Sequence, residues 1–174
     1  DVLDRAILNT LFPDNTYANE SGGDPDDIPD LTYEEYLEFH KKYYHPSNSY
    51  IYLYGDMDFE EKLNWLDEAY LSAFDYQNVD SEIREQAPFE KPVDVVKEYS
   101  ITSDESEENN TYLSYNAVVG NVLDKEKYIA FQILDYALCS APGAPLKQLL
   151  TDKGIGTEIY SVYDNGVYQP YFSV

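Results

Sequence analysis

Residues with reactive or cationic side chains are scarce in this 174-residue sequence, which has one cysteine, two histidines and 11 lysines and arginines. The lone Cys139 excludes a disulfide within the chain, and its place in the apolar run 133–139 predicts a buried structural thiol. The small number of cations argues against a nucleic-acid partner, because such binding depends on neutralising phosphates. No apolar run is long enough to span a bilayer, so we expect no membrane partner.

The two histidines, His40 and His45, are poorly spaced for holding a metal ion. On a helix a separation of five residues places two side chains roughly 140° apart, whereas an i, i+4 pair shares one face. We predict that His40 lies on the packed face of its helix and that His45, which precedes Pro46, is a turn residue. Neither a metal ligand nor a catalytic residue is predicted in the chain.

Acidic residues are abundant, with 34 aspartates and glutamates giving a net charge of −23. They cluster at 24–30, 80–90 and 104–108. The simpler interpretation of each cluster is a solvated loop. The alternative hypothesis is an acidic wall that attracts basic peptides by long-range steering.

The stretch from Leu31 onward begins with a helix signal. Thr32 and Glu35 have the spacing of a capping box, which predicts a helix from about 32 to 44. Helical periodicity predicts an inward face made of Tyr33, Leu37, His40 and Tyr44.

A strand and a second helix should follow. Pro46 cannot continue the first helix. The tyrosines of segment 50–54 alternate with isoleucine and leucine, which predicts a strand with both faces covered. Asp58 and Glu61 repeat the capping-box spacing and predict a helix with an apolar stripe that reaches Phe74.

The second half of the chain has strand and helix patterns in alternation. Residues 93–102 and 111–119 are predicted to be strands that pair antiparallel across an acidic loop. A largely apolar helix at 124–140 and a short one from 145 to 151 should follow.

The last part of the chain has the signature of a hairpin. Asn165 and Gly166 lie between segments 157–163 and 167–174, and both residue types tolerate the positive φ of a tight type I′ turn. Because Pro170 lacks a backbone donor, we expect its strand to lie at a sheet edge or to carry a bulge.

Several segments together resemble the pitrilysin or insulinase-type zinc metallopeptidases, and most closely their presequence-protease branch. The segments that carry this resemblance are LFPDNTYANESGGDPDDIPD, LTYEEYLEFHKKYYHPSNSYIYLYGDMD, NNTYLSYNAVVG, APGAPLKQLL and GIGTEIYSVYDNGVYQPYFSV. The resemblance implies an H-x-x-E-H motif whose histidines, with a later glutamate, bind zinc. That motif is absent here, and the resemblance places it upstream of Asp1.

The resemblance also implies a fold and a division into domains. The expected class is α+β, with antiparallel-rich sheets and helices packed on one face. Residues 1–75 would end a catalytic-type domain without its zinc motif, 76–92 would form a connection, and 93–174 would begin a second, inactive-type domain. Ser21, Gly22 and Gly23 are the candidate residues for lining a substrate cleft.

Three functions are compatible with the sequence. The favoured one is a non-catalytic segment of a zinc metalloendopeptidase that degrades oligopeptides, forming scaffold and chamber wall. The alternatives are a segment of a catalytically dead homologue that serves as a scaffold or partner subunit, and an acidic, tyrosine-rich binding module.

The favoured function fixes the expected partners. These are the remaining domains of a parent chain and an oligopeptide substrate, for which the acidic composition favours basic peptides. Zinc is expected in the parent enzyme and no cofactor in this segment. The chain by itself is expected to self-associate through unpaired sheet edges. No compartment is assigned, since the cytoplasm and an organellar matrix are both compatible with a soluble chain.

Overall fold

The computed structural model describes residues 2–174 and confirms the predicted α+β class. Within that range the helices are α1 Val2–Leu11, α2 Tyr33–Tyr43, α3 Phe59–Ala69, α4 Lys125–Asp135 and α5 Pro145–Asp152, and the strands are β1 Asn116–Val118, β2 Val162–Asp164 and β3 Tyr171–Ser173. Packing divides the chain into two compact units. The first unit comprises the chain up to Ser21 together with Ile83–Val174, and the second comprises Gly22–Glu82.

The first unit is built on a three-stranded antiparallel sheet in the order β1-β3-β2. Phe172, in the middle of β3, is the register partner of both Ala117 in β1 and Tyr163 in β2. Helix α1 contacts β1, and helix α4 contacts β2. The last strand in the sequence is therefore the centre of the sheet.

Phe12, directly after α1, forms the core of the first unit. Its side chain is 0% exposed, and its ring lies 5.5 Å from that of Tyr17 and 6.2 Å from that of Tyr171. Such tilted aromatic contacts are favourable in addition to the area that they bury. Cys139 is also buried, as predicted.

Two buried glutamines, Gln86 and Gln169, join distant parts of this unit. The backbone N–H of Gln86 donates to the Gln169 side-chain oxygen at 2.6 Å, and the Gln169 amide donates to the Gln86 carbonyl at 3.2 Å. The Gln86 side chain in turn accepts from the Asp14 backbone N–H at 2.8 Å and donates to its carboxylate at 2.6 Å. We call Asp14, Gln86 and Gln169 the glutamine clamp. Their hydrogen bonds hold together the three segments of chain in which these residues lie.

The helices of the second unit begin where the caps predict. The Thr32 hydroxyl accepts from the Glu35 N–H at 3.2 Å, and the Glu35 carboxylate accepts from the Thr32 N–H at 3.0 Å, which completes the capping box. The Thr32 hydroxyl also donates to the Glu35 carboxylate at 2.7 Å, and this bond, followed by the one from the Thr32 N–H, lowers the pKa of Glu35. At α3 only half of the predicted box forms, because Asp58 caps the Glu61 N–H while the Glu61 carboxylate pairs with Lys62.

The predicted strand at 50–54 is wrong for the chain by itself. No backbone–backbone hydrogen bond in the described part of the chain involves these residues, and Tyr50, Tyr52 and Tyr54 are exposed rather than covered. A strand requires a partner backbone, and the second unit has none among its described residues.

The predicted pairing of 93–102 with 111–119 is also wrong. Residues 93–102 form no strand, and of the second segment only Asn116–Val118 does so, with β3 as its partner. The two segments are instead joined through side chains, since the rings of Tyr99 and Tyr112 lie 5.8 Å apart.

The hairpin prediction is right about the pairing and wrong about the turn. Strands β2 and β3 pair antiparallel from Asp164 to Tyr171, so the connection is 165–170 rather than a two-residue turn. The Asp164 carboxylate accepts from the Gly166 N–H at 3.0 Å. Pro170 precedes the central strand, so the expected edge position is wrong, and its carbonyl accepts from Val119 at 2.8 Å.

The helix predicted at 124–140 changes its pitch within its length. It begins at the Asp124 cap, runs as α4 to Asp135 and continues as a π-helical turn over Tyr136–Ser140. Helix α5 confirms the short helix after the proline.

Replacing Gln169 by leucine should destabilise the first unit by about 2–4 kcal/mol, because the buried N–H and C=O of Gln86 both lose their partner. Urea unfolding followed by tyrosine fluorescence measures the change. The matched control is Gln148→Leu, whose amide bonds only to Asp152 on the surface and should shift stability by less than about 0.5 kcal/mol. Equal effects of the two substitutions would show that the clamp does not stabilise the unit.

Candidate functional site

The predicted cleft residues Ser21, Gly22 and Gly23 form a turn after the first helix and its loop. Ser21 and Gly22 are exposed, and a Cβ placed on Gly22 would meet nothing within 4 Å. Gly23 has φ +83°, and a Cβ there would come within 3.1 Å of the Ile28 side chain. Glycine is therefore favoured at position 23, because a side chain there would be strained, while position 22 leaves its backbone open for contact with another molecule.

Hydrogen bonds and an ion pair hold the chain on either side of this turn. Before it, the Tyr17 hydroxyl accepts from the Tyr168 N–H at 2.9 Å, and Glu20 pairs with Arg5 at 3.9 Å. After it, the Asp24 carboxylate accepts from the Asp26 N–H at 3.0 Å, which closes a turn over the acidic stretch. The aspartates at 24–30 thus form a structured turn rather than a flexible run.

The two histidines occupy separate surroundings. His45 caps a short 3₁₀ turn by accepting from the Ser47 N–H at Nδ1, 3.2 Å away, which confirms it as a turn residue. His40 stacks on Tyr44, with ring centroids 4.7 Å apart and planes 9° from parallel. Its predicted place on a packed face is wrong, because both residues are exposed in the second unit.

A concavity of about 300 Å³ lies at the end of α2, and the sequence interpretation missed it. Its walls are Tyr43, Tyr44, His45, Pro46, Asn48, Ser49 and Tyr70. The tyrosine doublet before His-Pro is the only sequence signal for it, and that signal is equally typical of packing.

The described residues do not fit a zinc site. Among residues 2–174 no group of three or more His, Cys, Asp and Glu side chains is placed to hold a metal ion. The Nδ1 of His45 is already occupied as an acceptor. Likewise, no helix in the described range is long and apolar enough to cross a bilayer.

The most perturbed titratable group is Tyr171 in the central strand. Burial, followed by the charge of Asp164, raises its pKa to about 12. Its hydroxyl donates to the Asp164 carboxylate at 3.1 Å. An oxyanion beside that carboxylate is disfavoured, so Tyr171 is suited to holding strand β2 against β3 as a neutral donor.

Comparison with known proteins identifies the family to which this chain belongs. Residues 30–174 match the family described as the peptidase M16 inactive domain. The chain belongs to the M16 peptidase family. The expected resemblance to its presequence-protease branch is confirmed by relatives that carry that name.

Three relatives align with nearly the whole chain. Protein HypA of Clostridium perfringens is 49% identical over 99% of the chain and 18% of its own length. Presequence protease 1 of Arabidopsis thaliana is 36% identical over 100% of the chain and 16% of its length. The mitochondrial presequence protease of Danio rerio is 30% identical over 97% and 17%. The chain therefore spans less than a fifth of the length of these relatives.

Replacing Asp164 by asparagine should lower the pKa of Tyr171 from about 12 toward its ordinary value of 10.0 without reaching it, because burial is the larger cause. Since the folded-state pKa is raised, the stability that Tyr171 contributes is complete below the unfolded value and is lost as pH rises toward 12. Ultraviolet titration of tyrosinate measures the shift, with Tyr171→Phe identifying the transition. An unchanged titration in the asparagine variant would contradict the assignment.

Proposed function

We propose that this chain is a non-catalytic structural segment of a zinc metalloendopeptidase that degrades oligopeptides, and that it forms part of the scaffold and chamber wall. The observation that carries the proposal is the match of 30–174 to an inactive M16 domain. Relatives named as proteases supply the class of the parent enzyme. In this proposal the zinc and its ligands belong to the remaining domains.

The exposed surface supports a scaffold that other domains cover. The chain exposes 14356 Å², whereas two separate compact bodies of these sizes would expose roughly 10,000 Å². In the second unit no described residue is buried, although it contains two amphipathic helices. Apolar residues exposed on this scale are typical of surfaces that bury against another body.

The predicted domain division belongs to this proposal. Residues 1–75 would contribute to the catalytic-type domain, 76–92 would connect, and 93–174 would contribute to the inactive-type domain. Ser21, Gly22 and Gly23 would line the cleft, for which the open surface at Gly22 supplies the access that a peptide backbone needs.

The acidic charge supports basic oligopeptides as the preferred substrate. The aspartates at 24–30 are exposed or half-exposed and directly follow the proposed cleft residues. Fixed negative charge beside a cleft raises the association rate of cationic ligands and is screened by salt.

A chimera tests the scaffold role. This chain replaces the aligned region of Arabidopsis presequence protease 1, and a variant with that region deleted serves as control. We expect the chimera to bind zinc and to cleave oligopeptides within about tenfold of the unmodified protease, while the deletion variant is inactive. A soluble, zinc-loaded chimera without activity, or cleavage by the 174-residue chain alone, would overturn the proposal.

Salt dependence tests the preference for basic substrates. In the chimera, kcat/KM for a lysine- and arginine-rich peptide should fall more steeply with ionic strength than kcat/KM for a neutral peptide of equal length. The triple variant Asp26→Asn, Asp27→Asn, Asp30→Asn should flatten the difference. Equal salt sensitivity of the two peptides would contradict the steering.

A further inference from the structure

Asn165 and Gly166, which do not form the predicted tight turn, are the only Asn-Gly pair in the sequence. They directly follow β2, where Asn165 is half-buried and Gly166 is exposed. The Gly166 N–H donates to the Asp164 carboxylate at 3.0 Å, whereas no described residue forms a hydrogen bond with the Asn165 side chain. The peptide group of Gly166 is thus held in place, while the neighbouring side-chain amide is free to turn toward it.

This pair contains both groups of an intramolecular reaction. The Gly166 nitrogen can meet the Asn165 Cγ across the face of its peptide plane, because the in-plane N–H points to Asp164 and no Cβ stands at residue 166. We propose that Asn165 is a deamidation site, at which this attack closes a succinimide ring. The bond from the Gly166 nitrogen to Cγ forms and the Cγ–Nδ2 bond breaks. The proton of the N–H passes through solvent to Nδ2, which leaves as ammonia.

Water completes the reaction without oxidation or reduction. Hydrolysis at Cγ leaves aspartate at position 165. Hydrolysis at the backbone carbonyl carbon leaves isoaspartate, in which the main chain runs through Cγ and is longer by one methylene group. Because the reacting groups lie on adjacent residues and the co-reactant is water, the reaction needs no docking surface and no partner molecule.

The products change the charge and the length of the connection between β2 and β3. The Asp164 carboxylate accepts from the Gly166 N–H and, at 3.1 Å, from the Tyr171 hydroxyl. A carboxylate at position 165 places like charge beside it. Isoaspartate also moves Gly166 away from Asp164, although Asp164 and Tyr171 remain register partners. We expect isoaspartate to weaken the hairpin more than aspartate does, because only isoaspartate alters the backbone.

The other asparagines serve as internal controls, because each is followed by a residue with a Cβ. Asn121 is the sharpest of them, since its side chain is also engaged on both sides. Its amide donates to the Glu85 carboxylate, and its oxygen accepts from the Leu123 N–H at 2.8 Å. Both features hinder attack on Cγ, so conversion should concentrate at Asn165.

Peptide mapping by mass spectrometry gives the first test. The 174-residue chain is incubated at mildly alkaline pH, and the converted fraction of each asparagine is followed with time. Conversion at Asn165 should be more than about tenfold faster than at Asn121, and Gly166→Ala should slow it by a similar factor.

Alanine is the matched substitution at this position. Gly166 has no positive φ, and a Cβ there would lie 3.5 Å from the Asp164 carboxylate oxygen, which is an ordinary contact. The variant should therefore keep the fold while its side chain hinders the attack. Conversion at Asn165 no faster than at Asn121, or unchanged in Gly166→Ala, would overturn the proposal.

The same measurement in urea tests whether the native geometry permits the attack. Because Asn165 lies outside the strands, its conversion in native buffer should be within about tenfold of that in the unfolded chain. A native rate that is slower than this would show that the folded connection prevents the reaction, and would overturn the assignment.

Separation of the aged chain by ion exchange tests the effect on the hairpin. The isoaspartate form, identified by enzymatic methylation of its isoaspartyl carboxyl, should unfold at a lower urea concentration than the asparagine form. Gly166→Ala aged in parallel should keep its midpoint. Equal midpoints of the isoaspartate and asparagine forms would overturn the proposed effect. None of these outcomes depends on the peptidase chimera.

Discussion

The exchange of hydrogen bonds between Gln86 and Gln169 is the constraint on which the first unit depends. This unit is made from two stretches of chain separated by the whole of Gly22–Glu82. Gln86 stands just after that interruption and also holds Asp14, which stands before it. Because both glutamines are buried, each unmade bond would cost the desolvation of its polar group, and the clamp acts as a unit.

The residues after Gln169 extend the same constraint into the sheet. The Pro170 carbonyl accepts from Val119 beside β1, and the Tyr171 hydroxyl donates to Asp164 in β2. The Tyr171 ring also packs near Phe12, the side chain at the centre of the core. Three consecutive residues thus fix both neighbouring strands and the core, which places β3 at the centre although it follows β1 and β2 in the sequence.

The second unit is organised by the opposite principle. Its helices are specified by contacts within a few residues, such as the Thr32 capping box, and none of its described residues is buried. Local caps fix where a helix starts but supply little of the burial that stabilises a domain. The exposed segment 50–54 and the exposed helix faces are therefore the surfaces that the remaining domains would cover in the proposed function.

The same contrast explains which features could be predicted from sequence. The helix starts at Thr32 and Asp124 were predictable because a cap is a contact over three residues. The pairing of β1 with β3 was not predictable, because the paired residues are over fifty positions apart in the sequence. Alternation within one strand does not indicate which other strand it pairs with. The clamp had no signal at all, since Gln86 and Gln169 stand in polar stretches that are typical of surface loops.

In the candidate site, too, features that depend on neighbouring residues could be predicted, whereas features that depend on distant parts of the protein could not. The place of His45 in a capped turn follows from short-range geometry, because Pro46 cannot continue the helix before it. Whether Ser21 and Gly22 face a peptide depends on surfaces that other domains would supply. In the function proposed above, this segment would act through the placement of its surfaces rather than through a metal ligand. Within the first unit, the glutamine clamp and the central strand β3 fix where those surfaces lie.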